Sequence, residues 1–435
     1  MLKTTLDLEK SLPQGVLQTL KKIGKFGEGR GISVFLVGGV VRDLFLGFSN
    51  LDLDIVVEGD GVPFAKNLSS VLNSGIKTHS RFGTASLFFK DGSKLDIASA
   101  RREVYPKPAS LPLVAPGFLQ DDLSRRDFTI NSIALRLNGK GLGGLVDPFG
   151  GMKDLRKGLI RILHPKSFLD DPTRIFRAIR FECRFGFRIE TQTLMRLKES
   201  LELEMLERLS PKRRRTEVFL LFKETDPTRP LLRLNELRAL SHLHPKLSFP
   251  LSSVRMMKRL PKETRDWDES GKLDLPFLFF LLLTRKMKFE DRFALSRDLS
   301  FTKRERKNLL ELHLVEGRLE HLKRTNPLVL HGLFKGMSPE ILFFLFLKER
   351  DERRRMWIKE YWRVFRKVRL WITGRDLKAL RVPEGPLYKV ILDEVLRNRL
   401  DGKVETKEEE LFLAKKIWED KRNGFKRFSQ SRKDI

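Results

Sequence analysis

The stretches LVGGVVRD at residues 36–43 and LDLDIVV at residues 51–57 decide the fold of this chain. In the first, two glycines lie between an apolar strand and a helical turn, where backbone amides and the helix dipole can receive a phosphate. In the second, Asp52 and Asp54 stand two residues apart on a strand, so both carboxylates lie on one face. Adjacent acids repel unless a cation lies between them. Carboxylate-bound Mg²⁺ commonly supports the attack of a hydroxyl on a nucleotide α-phosphate.

Each of these patterns also has an interpretation without function. Turns between a strand and a helix often contain glycine for steric reasons alone. A solvated strand edge with two acids gives the same spacing, with Leu51, Leu53 and Ile55 on the opposite face. The segments that follow are therefore needed to choose between the interpretations.

The composition favours a basic protein of several domains. A length of 435 residues corresponds to roughly two to four domains. The formal net charge of +29 favours a polyanionic partner, with nucleic acid ahead of an anionic membrane surface. The single cysteine, Cys183, cannot form an intramolecular disulfide, and the N-terminal residues lack the apolar core of a signal peptide, so we expect a cytoplasmic protein. The apolar run at residues 275–283 has about half the length of a membrane-spanning helix and predicts a buried helix instead.

Strand and turn patterns are confined to the first part of the chain. They predict strands at residues 34–37 and 51–57 and a hairpin from 85–89 and 94–98, which turns at Asp91-Gly92. Amphipathic stretches at 39–46 and 62–72 lie between them, so this part is α/β. From Pro172 onward Leu, Lys, Arg and Glu recur at helical spacing. The sequence thus predicts an α/β head followed by an all-helical remainder.

Two further segments of the head carry candidate site residues. Asp96, on the second strand of the hairpin, is either a third carboxylate for the metals or a base, or an exposed residue near a turn. RRDFTIN at residues 125–131 places two arginines before an expected apolar helix and suits a triphosphate or primer phosphate. In a chain this basic, a single arginine can equally belong to a solvated face.

An arginine-rich helix is predicted from DDPTRIFRAIR at residues 170–180. Asp171 is its expected N-cap and Pro172 its first residue. Arg174, Arg177 and Arg180 then recur every three residues and form a stripe along one flank. The stripe is either an ordinary basic face or a set of donors that, with the Asp171 carboxylate, matches the edge of a base and selects a nucleotide without a template.

Taken together, these motifs resemble the family of class II tRNA nucleotidyltransferases, or CCA-adding enzymes, and bacterial poly(A) polymerases. The resemblance rests on five segments in one order and continues in LERLS at 206–210 through Glu217 and in GRDL at 374–377 and PEGP at 383–386. The five segments are GGVVRD at 38–43, the pair Asp52 and Asp54, RRDFTIN at 125–131, DPFGG at 147–151 and DDPTRIFRAIR at 170–180.

The resemblance implies a fold and a domain order. The expected fold is a polymerase-β-like nucleotidyltransferase head followed by a helical neck, body and tail. We place the head at residues 1–155, the nucleotide-selecting neck at 156–220, the body at 221–345 and the tRNA-binding tail at 346–435.

It also implies roles for residues. Asp52 and Asp54 would coordinate Mg²⁺ and, with Asp96, form the catalytic carboxylates. Asp171 and Arg174 would read the base. The triphosphate, the sugar and the pocket around them would be held by Gly38, Gly39, Arg42, Arg126, Asp127, Asn131, Arg177 and Arg180.

The expected reaction is addition of CCA, from CTP and ATP, to the acceptor arm of tRNA, with release of diphosphate. A loop at residues 102–120 precedes the Arg-Arg-Asp motif and favours complete CCA addition, because enzymes that add only CC tend to lack it. The motifs DDPTR at 170–174 and VEGD at 57–60 also resemble those of enzymes from lineages in which separate proteins add CC and A. A-only and CC-only addition therefore stay open. The family usually has Glu-Asp where this chain has Asp170-Asp171, which leaves the preference between C and A undecided.

Two rival functions remain at this stage. A poly(A) polymerase would extend many RNAs without stopping, and a non-catalytic RNA-binding protein would use the basic helices alone. The histidines His242 and His244 lack cysteine partners at zinc spacing, so no structural zinc is expected. The oligomeric state is not predicted.

Overall fold

The computed structural model describes residues 8–48, 52–79, 83–139, 143–264, 267 and 273–430. Its packing divides the chain into two compact units, Met1–Phe249 and Pro250–Ile435. The domain boundaries expected at residues 155, 220 and 345 remain predictions.

The first unit combines strands and helices. Its elements in chain order are α1 (Leu8–Ser11), α2 (Gln14–Glu28), β1 (Val34–Val37), α3 (Gly39–Leu46), β2 (Leu53–Val57), α4 (Gly61–Val71), β3 (Gly75–His79), β4 (Thr84–Phe88), β5 (Lys94–Ser99), β6 (Arg101–Val104), β7 (Leu113–Pro116), α5 (Leu119–Ser124), a 3-10 turn (Thr129–Asn131), β8 (Ala134–Arg136), β9 (Leu145–Val146), α6 (Gly151–Lys157), β10 (Leu159–Ile160), α7 (Ser167–Asp170), α8 (Thr173–Phe185), β11 (Arg188–Ile189), α9 (Thr191–Glu202), α10 (Pro211–Phe222) and α11 (Thr228–Glu236).

A seven-stranded mixed sheet organises this unit. Its strand order is β3-β4-β5-β2-β1-β8-β9. The β2 and β5 strands pair in parallel, and the other neighbours are antiparallel. All four residues of β1 are buried, as expected for an apolar strand in the middle of a covered sheet. Phe35 and Val37 of β1 pack with Leu119 and Leu123 of α5 on one face. The turn that follows β1 and the carboxylates at the start of β2 are thereby fixed beside each other.

The structure confirms the α/β head and the helical remainder. Every predicted strand is present within a few residues, although Leu51 lies outside the described residues. After Pro172 the described residues contain a single short strand, β11.

Two local predictions were wrong. The segment after Arg126 forms a single 3-10 turn and then β8, rather than an apolar helix. Its backbone is engaged elsewhere, since the Thr129 amide bonds to the Arg161 carbonyl and Phe128 bridges to Ile162. The stretch expected as a loop at residues 102–120 contains the two-stranded β6–β7 hairpin and the start of α5.

The start of the arginine helix also differs slightly from the prediction. Helix α8 begins at Thr173, one residue later than expected, and Pro172 rather than Asp171 precedes it. The Asp171 carboxylate nevertheless accepts the Thr173 amide, at 3.0 Å. It therefore still satisfies one of the free donors at this helix end.

The second unit is helical throughout its described residues. Its helices are α12 (Leu251–Glu263), α13 (Leu275–Leu283), α14 (Phe289–Asp298), α15 (Lys303–His321), α16 (Pro327–Phe334), α17 (Pro339–Lys348), α18 (Glu352–Arg363), a 3-10 turn (Phe365–Lys367), α19 (Gly374–Ala379), α20 (Pro386–Leu400) and α21 (Lys407–Gln430). The apolar run predicted to be a buried helix is α13, whose residues from Phe277 to Leu283 are all buried. Among the described residues, no single helix is long and apolar enough to cross a membrane. Taken together, α16 and α17 reach that length and apolar composition, with a bend of 117° between the two helices.

Packing of α2 against the sheet gives a prediction. A methyl group at Gly24 would lie 2.0 Å from the Leu137 carbonyl oxygen, whereas one at Gly15 of the same helix would meet no atom within 4 Å. We expect Gly24→Ala to destabilise the protein by about 2 kcal/mol, because backbone must move to admit the group. Gly15→Ala should leave stability equal or higher by up to about 1 kcal/mol. Urea unfolding of both variants is the measurement, and equal unfolding midpoints would contradict the packing.

Candidate active site

A cleft of about 480 Å³ in the first unit collects most of the predicted site residues. The predicted residues that line it are Gly39, Arg42, Asp52, Asp54, Arg126, Asp127, Asn131, Asp171, Arg174, Arg177 and Arg180. Arg125, one of the two arginines expected to suit a phosphate, lines it as well. The remaining lining residues were not predicted to belong to the site: Val40, Asp43, Glu103, Tyr105, Phe181 and Arg184. Two predicted residues, Gly38 and Asp96, do not line it.

The acid pair lies at the start of β2. Asp52 is exposed immediately before the strand, and Asp54 is partly buried within it. Burial raises the pKa of Asp54 to about 6, the Arg126 charge opposes the rise, and the nearby Asp52 and Asp96 charges add to it. A carboxylate held among other carboxylates in this way is stabilised by a cation.

The two carboxylates suit a hard metal ion. Among the described residues, no group of three or more His, Cys, Asp or Glu side chains is close enough to hold a metal by itself. Mg²⁺ usually binds one or two carboxylates and completes its shell with water and substrate phosphates. The donor set of Asp52 and Asp54 therefore fits a magnesium ion that arrives with a nucleotide better than a resident protein-only metal cage.

Asp96 is adjacent to this pair but differently engaged. It is paired in register with Asp54 across the parallel β2 and β5 strands. Its carboxylate accepts hydrogen bonds from Ser86 Oγ at 2.5 Å and Lys94 Nζ at 2.6 Å. A role as third catalytic carboxylate stays a prediction, and it would require at least one of these bonds to be exchanged.

The glycine turn makes room for an arginine. Gly38 has a φ of +78°, and a methyl group there would lie 2.3 Å from Arg126 Nη1. Arg126 donates to Asp122 Oδ2 at 2.9 Å, and its charge is the largest influence that lowers the pKa of Asp54. Gly39 and Val40, in the first turn of α3, line the cleft beside it. A phosphate in this corner would meet both a helix N-terminus and a guanidinium.

A continuous polar network joins α3 to α8. Arg42 bonds to Asp43 through Nε at 2.8 Å and donates through Nη1 to Asn131 Oδ1. Asn131 Nδ2 donates to Asp127 Oδ1 at 2.8 Å. Asp127 Oδ2 accepts from Arg177 Nε at 2.8 Å and lies 2.6 Å from Arg177 Nη2 in the same ion pair. Burial alone would raise the pKa of Asp127, but the Arg177 charge and these hydrogen bonds lower it to about 2. Arg42 and Arg177 are thus engaged within the protein.

The predicted base-reading pair lies in the same cleft. Arg174 is 4% exposed and donates from Nη1 to Ser167 Oγ at 2.5 Å and from Nη2 to the Arg125 carbonyl at 2.7 Å. Asp171 pairs with Arg213 Nη2 at 2.6 Å rather than with Arg174. Asp171 and Arg174 are therefore each bonded to other residues and not to one another.

The end of the arginine stripe is less completely paired. Arg184 forms a two-pronged ion pair with Glu224, whose carboxylate is 3.9 Å from Arg180 Nε. Arg180 is 6% exposed, its Nε atom has no hydrogen-bond partner, and burial lowers its pKa. A buried guanidinium with an unsatisfied donor beside the cleft is suited to an anionic group.

The unpredicted lining residues differ in whether the sequence signals them. Arg184 follows Arg180 by one helical turn, so extending the stripe would have found it. Glu103 and Tyr105 reach the cleft from the β6–β7 hairpin, where Glu103 accepts from Arg101, Tyr105 and Arg125. These are contacts between segments, and no local pattern indicates them.

The ion pair between buried Asp127 and half-buried Arg177 gives a second prediction. The folded pKa of Asp127, about 2, is below its unfolded value of ~3.9, so its contribution to stability is present above about pH 4 and is lost as the pH falls through 2. Asp127→Asn should cost about 2–3 kcal/mol at pH 7, because Arg177 loses its partner. In the variant, the free energy of unfolding should also fall less between about pH 4 and pH 2 than in the unmodified chain, because the Asp127 carboxylate is no longer there to be protonated.

Chemical unfolding between pH 2 and 7 measures both effects. The control is Asp393→Asn, at an exposed carboxylate of α20, which should change stability by no more than about 0.5 kcal/mol. Equal unfolding free energies for the two variants at pH 7 would show that the Asp127 pair does not stabilise the fold.

Comparisons with known proteins identify the family of this chain. Residues 34–161 match the poly(A) polymerase head domain family. An A-adding tRNA nucleotidyltransferase of Geobacter sulfurreducens is 36% identical over 424 residues, which are 94% of this chain. The chain spans about half of that relative, since the match covers 48% of its length. The A-adding tRNA nucleotidyltransferase of Halalkalibacterium halodurans is 35% identical over 408 residues, with 93% of each chain covered.

Solved structures match over nearly the whole chain. The apo form II of a CCA-adding enzyme has a TM-score of 0.79 at 34% identity and covers 93% of this chain and 96% of its own. A complex of CCA-adding enzyme with ATP has a TM-score of 0.77 at 32% identity, covering 93% and 96%. The Thermotoga maritima CCA-adding enzyme complexed with tRNA has a TM-score of 0.72 at 32% identity, covering 94% and 96%. With the acid pair, the glycine turn and the arginine helix in one cleft, this chain belongs to the family of class II tRNA nucleotidyltransferases and bacterial poly(A) polymerases.

Proposed function

We propose that this chain extends the 3′ end of tRNA by template-independent nucleotidyl transfer, and that its preferred reaction is addition of the terminal A to a CC-ended tRNA. The observation that carries the proposal is the single cleft that contains both the Asp52/Asp54 pair and the Asp171/Arg174 pair. One pair is suited to forming a bond at a phosphate, and the other is suited to reading a base.

Bond formation is assigned to the acid pair. Asp52 and Asp54 would hold Mg²⁺, which when bound neutralises the triphosphate and supports in-line attack by the RNA 3′-hydroxyl on the α-phosphate, with diphosphate released. Arg126 and the first turn of α3 would bind phosphate oxygens, and Arg180 would contact a further phosphate or support the pocket. Arg42, Asp127, Asn131 and Arg177 would serve as the frame of the pocket, because their polar groups already bond to one another.

Base selection is assigned to Asp171 and Arg174. Adenine and cytosine both present an amino donor beside a ring-nitrogen acceptor, whereas guanine and uracil present a carbonyl oxygen at the position of the amino group. A carboxylate accepts from the amino group, and a guanidinium donates to the ring nitrogen. The pair would thus accept ATP or CTP and reject GTP and UTP.

Two observations favour A addition over the complete CCA addition expected from the sequence. Both curated relatives described above are A-adding enzymes. The sequence DDPTR at residues 170–174 resembles enzymes from lineages that divide the work between CC-adding and A-adding proteins. Asp170, which replaces the usual Glu of the family, does not line the cleft, so its shorter side chain is not itself an argument for a changed base preference. The β6–β7 hairpin occupies the place of the loop that CC-only enzymes tend to lack, which argues against CC-only addition.

Complete CCA addition is the second candidate. It is favoured by the similarity of the whole chain to CCA-adding enzymes, including complexes with ATP and with CTP. We further propose that the helical second unit, with the expected tail at residues 346–435, contacts the acceptor arm of tRNA, as the complex of the Thermotoga maritima enzyme with tRNA supports.

The test uses three tRNA transcripts that end before CCA, in CC or in CCA, each incubated with the purified chain, Mg²⁺ and labelled ATP, labelled CTP or both. We expect one A on the CC-ended transcript and no extension of the other two. Addition of CC and then A to the shortest transcript would establish the second candidate instead. Unlimited A addition would identify a poly(A) polymerase and contradict the proposal.

The acid pair is tested in the same assay. Asp54→Asn should reduce A addition at least about 1,000-fold, because a loss of about 4 kcal/mol of transition-state stabilisation follows from removing a metal ligand. Asp91→Asn, in the turn between β4 and β5 of the same sheet, should retain full activity. Persistent addition by a double Asp52→Asn, Asp54→Asn variant would show that these carboxylates are not the metal site of the reaction. If the unsubstituted chain adds no nucleotide, RNA binding alone remains as its function.

A further inference from the structure

We propose that Arg213 and Ser167 are positioning residues for nucleotide selection, which fix the orientation of Asp171 and Arg174 before a nucleotide binds. The inference rests on the proposed function, since it concerns how the assigned base-reading pair is held. It assigns a role to Arg213, on the helix α10, that its sequence context of consecutive basic residues does not reveal.

All the hydrogen bonds to the Asp171 side chain fall on one oxygen. Oδ1 accepts from Arg213 Nη2 at 2.6 Å, from the Thr173 amide at 3.0 Å and from Thr173 Oγ1 at 2.5 Å. Among the described residues no donor bonds to Oδ2. The terminal torsion of an aspartate is broad and nearly two-fold, so an unrestrained carboxylate would present either oxygen. Three donors on Oδ1 remove that ambiguity and leave Oδ2 as the acceptor for an amino group.

Arg213 is itself held at two points. Its second terminal nitrogen, Nη1, donates to the Ala109 carbonyl at 3.1 Å. Ala109 has a φ of 59°, and its amide bonds to the Leu169 carbonyl at 2.9 Å. Because the guanidinium is planar and rigid, this bond to a backbone carbonyl outside Asp171 restricts the direction in which Nη2 points. Asp171 is therefore oriented by a group whose own position does not depend on the nucleotide.

Ser167 holds the other member of the pair. This fully buried serine accepts Arg174 Nη1 through Oγ at 2.5 Å, and its carbonyl accepts the Asp171 amide at 3.2 Å. Arg174 Nη2 is bonded to the Arg125 carbonyl. One residue at the start of α7 thus contacts both members of the base-reading pair, and the spacing between them is set by the protein rather than by the base.

This arrangement predicts a loss of selectivity rather than a uniform loss of rate. Without Arg213, Oδ1 keeps only its two donors from Thr173, so the carboxylate is less restrained and presents Oδ1 as well as Oδ2 to the base. We expect Arg213→Ala to lower the preference for ATP over UTP, measured as the ratio of their kcat/KM values on CC-ended tRNA, about tenfold. Most of the loss for ATP should be in KM. Ser167→Ala, which removes one bond to Arg174, should lower the ratio in the same direction by several-fold.

Matched variants separate positioning from a structural role. Arg213→Lys keeps a positive charge that can reach Asp171, but an ammonium group lacks the planar pair of donors that bonds to Asp171 and Ala109 together. Its ATP/UTP ratio should therefore lie between those of the unmodified chain and Arg213→Ala. Lys212→Ala removes a positive charge from the adjacent, exposed position of α10 and should leave the ratio unchanged. An equal fall of kcat/KM for ATP and UTP in Arg213→Ala, or an unchanged ratio in both Arg213→Ala and Ser167→Ala, would overturn the proposal.

Equilibrium binding keeps this test independent of the proposed reaction. The affinities of ATP and UTP for each variant, measured without RNA, report selection in the absence of transfer. If the unmodified chain transfers no nucleotide but prefers ATP, and Arg213→Ala loses that preference, the proposed function fails while the positioning role holds. If transfer occurs as proposed and neither the binding preference nor the kinetic ratio changes in the variants, only the positioning role fails.

Discussion

The ion pair between Asp127 and Arg177 is the constraint on which the site depends. Asp127 belongs to the segment that leads into the sheet, and Arg177 lies in the middle of the arginine helix α8. Asn131 and Arg42 extend the pair to the glycine turn, so three separate segments of the chain meet in one buried network. A low-dielectric surrounding makes each of these groups costly to leave unpaired. The sheet with its carboxylates and the helix with its arginines are thereby held around one cleft.

Within that frame the charged residues divide into two groups. Arg42, Asp127, Asn131 and Arg177 satisfy one another and shape the cleft. Asp52, Asp54, Arg126 and Arg180 retain an exposed carboxylate, a raised pKa or an unsatisfied donor, which a metal ion or a phosphate would satisfy. Asp171 and Arg174 belong to both groups. Each is hydrogen-bonded to another residue of the protein, and each also lines the cleft where a ligand can contact it. Preorganisation of this kind avoids part of the cost of ordering side chains when a ligand binds.

The sequence predicted the parts of the site that follow from local periodicity. The Asp52/Asp54 spacing, the glycines after β1 and the arginine stripe of α8 are each readable within one element. The stripe could not be divided into paired and unpaired arginines, because the partner of Arg177 is fifty residues away in the chain. The same holds for Arg213, Glu103 and Tyr105, which arrive from distant segments. The wrongly predicted helix after Arg126 failed for a related reason, since the Thr129 and Phe128 backbones bond to the strand region at Arg161 and Ile162.

The central claim is that one nucleotide spans the cleft, with its phosphates at the acid pair and its base at Asp171 and Arg174. A crystal structure of the chain with ATP and Mn²⁺, with the metal located by anomalous scattering, tests this most directly. We expect a metal peak within about 2.5 Å of carboxylate oxygens of both Asp52 and Asp54, with the adenine amino group within hydrogen-bond distance of Asp171 Oδ2. A metal bound away from β2, or an adenine outside the reach of both Asp171 and Arg174, would contradict it.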